Sequence, residues 1–194
     1  MLINTGLENG YIDSESPRAL KNFSSGLKGM LASGIKLGCS SIIFVCIGTD
    51  RSTGDCLGPL VGYKISSIKY DNVHVFGTLE SPVHARNIDK TMEQVYSKYT
   101  SPFIVAVDAC LGKMDHIGYI KVGGGPIKPG SGLNKDIAPV GDIHITGVVN
   151  FGGFMEFLVL QNTRLGTVMK MADIISMGIR HSLWGIENEE GLRL

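Results

Sequence analysis

The chain has no excess of charge of either sign, with 18 Lys and Arg against 18 Asp and Glu in 194 residues. That balance argues against a broad electrostatic surface, so neither nucleic acid nor an anionic membrane is expected as a partner. The first 22 residues lack the basic-then-apolar order of a secretory leader. No stretch reaches the roughly 18 continuous apolar residues that a membrane-spanning helix needs. Cysteine is scarce, and Cys39, Cys46, Cys56 and Cys110 include no CxxC pair. They read as reduced thiols, and the chain as a soluble cytoplasmic one. Several enzyme signatures are also missing. No GxSxG elbow surrounds Ser52 and Thr53, no GxxxxGK[ST] loop occurs, and Gly123–Gly125 lacks the dinucleotide spacing that opens a helix.

What is present is a globular composition, 43% hydrophobic with a mean hydropathy of +0.16. Residues 1–16 are polar and Gly-containing and read as a flexible N-terminal arm; residues 17–194 read as a single α/β domain. Ser16-Pro17 offers a helix start, and Phe23, Leu27 and Leu31 carry helical spacing to about Ser33. Strands are expected at Ile42–Ile47, Val73–Gly77, Phe103–Asp108, Gly118–Val122 and Ile143–Val149. Helices are expected after Asp55, over Ile88–Tyr99, and from Gly153 to about Leu183 with a junction at Gln161-Asn162-Thr163. Strand-helix alternation of this kind implies parallel pairing through right-handed crossovers, hence a layered α/β fold. The apolar stretch Phe151–Leu160 fits a core helix first and a homodimer surface second.

The chemistry centres on two aspartates at the ends of buried strands. Asp55 lies in Gly54-Asp55-Cys56-Leu57-Gly58-Pro59 after the first strand, and Asp108 ends Phe103-Ile104-Val105-Ala106-Val107-Asp108. Loops beyond the C-terminal ends of parallel strands form the ligand crevice of such folds. Neighbouring strands would therefore bring both carboxylates to one small volume, where they can share a proton or hold a metal. Asp55 could instead be a helix N-cap. Asp108 has no comparable alternative, because an ionised side chain behind five apolar residues needs a polar crevice or a partner. His144, in Gly141-Asp142-Ile143-His144-Ile145-Thr146-Gly147, is the best placed histidine to complete a metal set with Asp55 and Asp108. His84 is expected at a crevice rim. Cys56 and Cys110 lie beside the aspartates without an activating neighbour and read as packing residues. The turn Pro129-Gly130-Ser131-Gly132 offers backbone N–H groups to a peptide carbonyl, so Gly130, Ser131 and Gly132 are candidates for substrate binding.

The same segments resemble a known group. Asp55-Cys56-Leu57-Gly58-Pro59 is similar to the Asp-Ala-Leu-Gly-Pro segment of the bacterial spore germination protease, with Cys56 in place of Ala. Val107-Asp108-Ala109 resembles that family's second aspartate, and Pro129–Gly132 its Gly-rich loop. Over about residues 18–184 the chain resembles the YyaC group of spore proteases, chiefly through Gly48–Pro59, Pro129–Asn134, Gly141–Asn150 and Phe154–Arg164. The wider superfamily includes the hydrogenase maturation endopeptidases. The resemblance implies a three-layer αβα fold with a mostly parallel sheet, of the hydrogenase-maturation-protease or phosphorylase/hydrolase type. It implies an endopeptidase of the forespore or spore core acting through Asp55 and Asp108 on protein or peptide substrates such as small spore proteins. It implies also a divalent metal, Ni²⁺ or Zn²⁺, on Asp55, Asp108 and His144 if the maturation-enzyme pattern holds. A protease-like fold kept as a binding or assembly module of the forespore is the non-enzymatic alternative.

Overall fold

The computed structural model describes residues 10–129, 137–189 and 194. In chain order the elements are β1 (Tyr11–Asp13), α1 (Ala19–Lys36), β2 (Ser41–Cys46), α2 (Leu57–Ile65), β3 (Val73–Phe76), α3 (Ile88–Lys98) and β4 (Pro102–Gly112), then β5 (Tyr119–Gly124), β6 (Ile143–Phe151), α4 (Glu156–Gln161) and α5 (Leu165–Glu189). The strands form one sheet in the order β1-β5-β6-β4-β2-β3. Pairings β2–β3, β2–β4 and β4–β6 are parallel, whereas β5 runs antiparallel to both β6 and β1. The sheet is therefore mostly parallel, as the alternation of short apolar runs and helical spacing implies.

Three layers follow from which face each apolar residue takes. Phe23, Leu27 and Leu31 of α1, Leu57, Val61 and Ile65 of α2, and Met171, Ile175 and Ile179 of α5 pack with Phe44, Val105 and Ile145. On the opposite face Ile88 and Val95 of α3 cover Ile43, Val45, Ile104 and Ala106. Alternate residues of β2 and β4 thus enter different cores, which is why these strands are apolar without interruption. The α1–α5 contact is close because Gly178 leaves room for the Phe23 ring: a Cβ there would stand 2.2 Å from its Cδ1. Ser182 adds a hydrogen bond from its hydroxyl to the Ser24 carbonyl, 3.0 Å away.

Three expectations change. The polar N-terminal arm, read over 1–16, includes a strand: Tyr11–Asp13 pairs with Tyr119–Lys121, and Ile12 is 3% exposed against the larger core. Three residues are too few for alternation to register as a pattern. The helix expected from Pro17 begins at Ala19. Phe151–Leu160 is not a core helix, since α4 has no buried residue and Phe154 is 88% exposed. The junction expected at Gln161-Asn162-Thr163 does separate two helices.

The chain places β3 on one side of β2 and β4 on the other. The crossovers accordingly take opposite faces, with α2 in the larger core and α3 in the smaller. The C-terminal ends of β2 and β4 therefore flank the position where strand order reverses, the place where open α/β sheets form their crevice. Among the described residues no helix is long and apolar enough to cross a membrane.

Candidate active site

β4 outruns its neighbour. β2 pairs with it from Ser41↔Pro102 to Cys46↔Val107, and the Ile47 amide donates to the Val107 carbonyl at 2.7 Å. Asp108 is the next residue, paired only on the other side, with Thr146 of β6. A carboxyl group thus sits where the sheet loses one strand, and it is still only 9% exposed. Its sole hydrogen bond among the described residues is from the Ala109 amide to Oδ1, at 2.8 Å.

The loop after β2 brings Asp55 back over this edge, and small residues make the return. Gly48 has φ +138°, and its amide donates to the Val83 carbonyl at 2.8 Å. The Thr49 amide donates to the Asp55 carbonyl at 3.1 Å, closing the loop on itself. Gly48 could not carry a side chain, since its Cβ would lie 1.9 Å from that same carbonyl oxygen. Asp55 lies in the 3₁₀ turn Gly54–Cys56, and Leu57 then starts α2 in the larger core. Gly58 lets the first turn of α2 touch the end of β2, as a Cβ there would stand 2.0 Å from the Ile47 oxygen. Pro59 falls in the first helical turn, where a missing N–H leaves no intrahelical bond unmade. The N-cap reading of Asp55 does not hold: α2 begins after Cys56, and no side chain caps the helix or the turn before it.

The two carboxyl groups feel one another. Burial pushes Asp108 well above the ordinary carboxylate range, and the Asp55 charge pushes it further, against the single Ala109 amide. Asp55 is raised as well, by burial, but the Thr49 amide and nearby His84 pull it back. The pair is therefore asymmetric, with Asp108 the better proton holder and Asp55 the better base. The histidine beside the aspartates is His84 rather than His144. It follows Val83, which bridges in parallel to Ile47, and its backbone amide is fixed by Asn87 Oδ1 at 2.8 Å.

His144 is drawn the other way. It pairs with Ala106, two residues before Asp108, and its ring lies over Gly123 of β5 with Nδ1 3.0 Å from the Gly125 carbonyl oxygen. Among the described residues no three His, Cys, Asp or Glu side chains come together to hold a metal ion. The Asp55–Asp108–His144 set that the resemblance implies therefore does not fit Ni²⁺ or Zn²⁺ as a three-ligand centre. Burial and then the Asp108 charge push the Cys110 thiol up to about 11, and Cys56 is raised by burial and Asp55. Both stay protonated near neutral pH, which leaves them packing roles. The Ser52 hydroxyl is buried without a hydrogen-bond partner among the described residues, so it is not presented to a substrate. The substrate-binding candidates Gly130, Ser131 and Gly132 lie outside the described residues.

Two carboxylic side chains at the switch point of a mostly parallel sheet, with unequal proton affinities, define an α/β protein carrying a candidate acid–base site. The chain belongs to the family described as Protein of unknown function (DUF1256), whose model matches residues 11–178. It is 46% identical over 169 residues to the uncharacterized protein YyaC of Bacillus subtilis (strain 168), covering 87% of this chain and 81% of that one. Among solved structures, the [NiFe] hydrogenase maturation protease HycI from Thermococcus kodakarensis KOD1 matches at 16% identity and a TM-score of 0.48. That match covers 78% of this chain and 99% of HycI. No residue role is carried across at that level of likeness.

Proposed function

We propose that this protein is a peptidase whose acid–base pair is Asp55 and Asp108. The observation that carries the reading is the asymmetry of two carboxyl groups sharing one crevice. Like charges held close in a low-dielectric site do not both ionise, so the pair keeps one proton near neutral pH. Asp108 is the group that retains it, having one hydrogen-bond donor and the deeper burial. Asp55, supported by the Thr49 amide and His84, is the carboxylate.

In that state Asp55 accepts a proton from a water molecule as its oxygen attacks a peptide carbonyl. Asp108 supplies a proton to the carbonyl oxygen as it takes on negative charge. Collapse of the tetrahedral gem-diol then breaks the C–N bond, with the proton held by Asp55 passing to the departing amine and one gem-diol hydroxyl returning its proton to Asp108 as the new carboxyl group forms. The step consumes one water and leaves the pair with the single proton it began with. No metal enters this route. The natural substrates proposed from the resemblance of Gly48–Pro59 and Val107–Ala109 to the spore germination protease are small spore proteins in the forespore or spore core.

The test is Asp55→Asn and Asp108→Asn, each incubated with forespore extract beside the wild type. Wild-type protein is expected to generate new peptide termini, and both variants to generate none above buffer. Identical processing by wild type and both variants overturns the reading and leaves the fold a binding or assembly module.

A further inference from the structure

A single register line crosses the sheet from Asp108 to the β1 edge. Asp108 pairs with Thr146 of β6, Thr146 with Lys121 of β5, and Lys121 with Tyr11 of β1. Residues paired in this way stand side by side and point to one face. Their chain neighbours fix which face it is. Val107, Ile145, Ile120 and Ile12 all enter the larger core, so the four residues of the line point to the other side. On that side α3 packs over β2 and β4, and among the described residues the smaller core takes in no residue of β1, β5 or β6. Asp108 is therefore the inner end of a polar row that leads away from the crevice.

The row carries one fixed charge. Lys121 is half-buried, and its Nζ stands 5.5 Å from the centre of the Tyr11 ring. Tyr11 belongs to a ring cluster with His116 and Tyr119, each with its centre 5.2 Å from that of His116. A ring held in a cluster is a firm seat, so the ammonium is preorganised on it. Among the described residues no carboxylate forms an ion pair with Lys121. The acidic groups that share its face do not neutralise it. Asp108 holds its proton, and Asp13 turns back to accept the Glu15 amide at 2.9 Å. Burial and Asp108 raise the Cys110 thiol, while the Thr146 hydroxyl and the Lys121 charge oppose them, so the ammonium is felt along the row as far as β4.

We propose that Lys121 is a specificity residue of the site, pairing with an Asp or Glu side chain of an extended substrate laid along the row, with Thr146 between it and the bond at Asp108. Neighbouring strands lie about 4.8 Å apart, so two spacings separate the Asp108 and Lys121 backbones by about 10 Å, which an extended chain spans in about three residues. The substrate class is thus a peptide with an acidic residue about three positions from the cut. A lone anion could meet Lys121 but would not reach Asp108, whereas a peptide engages both ends of the row. The inference rests on the peptidase reading for what stands at Asp108, the scissile bond; the charge pairing at Lys121 does not depend on it.

The experiment uses the full chain and two fluorescein-labelled dodecapeptides of Ala and Ser that differ only in two central residues, Glu-Glu or Gln-Gln. Anisotropy at low salt is expected to show at least fivefold tighter binding of the Glu peptide to wild type. Lys121→Gln and Lys121→Met are each expected to abolish the preference, the second while keeping an apolar stem over Tyr11. Lys121→Arg, which keeps the charge and the ring contact, is expected to retain it, as is Lys21→Gln on α1 across the sheet. No preference in wild type, or an undiminished preference in either uncharged Lys121 variant, overturns the proposal. So does an equal loss in Lys21→Gln, which would mark diffuse attraction. The forespore extract separates the two claims. If Lys121 sets the preference while Asp55→Asn and Asp108→Asn process the extract like wild type, the subsite stands and the peptidase reading falls. If new termini depend on both aspartates while the two peptides bind equally, the peptidase reading stands and the subsite falls.

Discussion

Asp108→Asn is expected to make the protein more stable while removing its activity, and the gain is expected to depend on pH in a defined way. In the folded chain burial and the Asp55 charge hold the Asp108 carboxyl well above the unfolded reference of about 3.9. As pH rises past that reference, the unfolded chain releases this proton while the folded chain keeps it. The contribution of Asp108 to stability is therefore full below about pH 4 and is lost progressively until the pH passes the folded-state value. Within that window the wild type loses about 1.4 kcal/mol per pH unit through this group. Asn has nearly the same shape, carries no proton to lose, and keeps an oxygen for the Ala109 amide. Urea unfolding of both proteins between pH 4 and 7 reads the difference directly. With a urea m-value of about 2 kcal/mol per M, the midpoints should separate by about 0.7 M for each pH unit at the start of the window. Comparing the two proteins cancels every other titrating group that the substitution leaves alone. Parallel pH profiles, or a wild type more stable than the variant at pH 7, would refute the claim that the crevice holds a protonated Asp108.

Three further outcomes test the surrounding structure. Gly58→Ala should cost about 3 kcal/mol, because its Cβ meets the Ile47 backbone and not a movable side chain; a thermal melt within a degree of wild type would contradict that contact. His144→Ala should lower stability by about 1 kcal/mol through the lost Gly125 bond, yet leave cleavage intact. Calorimetry with Ni²⁺ or Zn²⁺ should show no stoichiometric binding to wild type, and an isotherm that His144→Ala removes would restore the metal reading. Asn150→Ala should cost about 1 kcal/mol and speed amide exchange in α4 while leaving β4 protected, since its side-chain amide bonds Val159 of that helix and Thr163 just beyond it.

The parts of this architecture that were legible in the sequence are those with a strong local signature. Ile42–Cys46 and Phe103–Val107 are apolar throughout because both sheet faces are covered, and that run is unmistakable. The continuation of β4 through Cys110, Leu111 and Gly112 was not legible, because only β6 supports it and its composition is mixed. Asp55 and Asp108 could be picked out by position alone, but which histidine joins them could not. His84 reaches the crevice through a bridge of one residue pair, Ile47↔Val83, and such a contact leaves no periodic trace. His144 sits on the strand beside Asp108 but two residues below it, opposite Ala106, and leans toward Gly123, a glycine with room for its ring. Phe151–Leu160 misled for a plain reason: sequence hydrophobicity measures what a side chain prefers, and here the helix shows it to solvent.

The central claim is that Asp55 and Asp108 together hydrolyse peptide bonds, and hydrolysis leaves a mark that binding does not. Forespore extract incubated in ¹⁸O-labelled water with wild type, Asp55→Asn or Asp108→Asn can be read by mass spectrometry of new carboxyl termini. The account predicts ¹⁸O-labelled termini with wild type and none above buffer with either variant. The same labelled termini from all three proteins, or none from wild type, would contradict it.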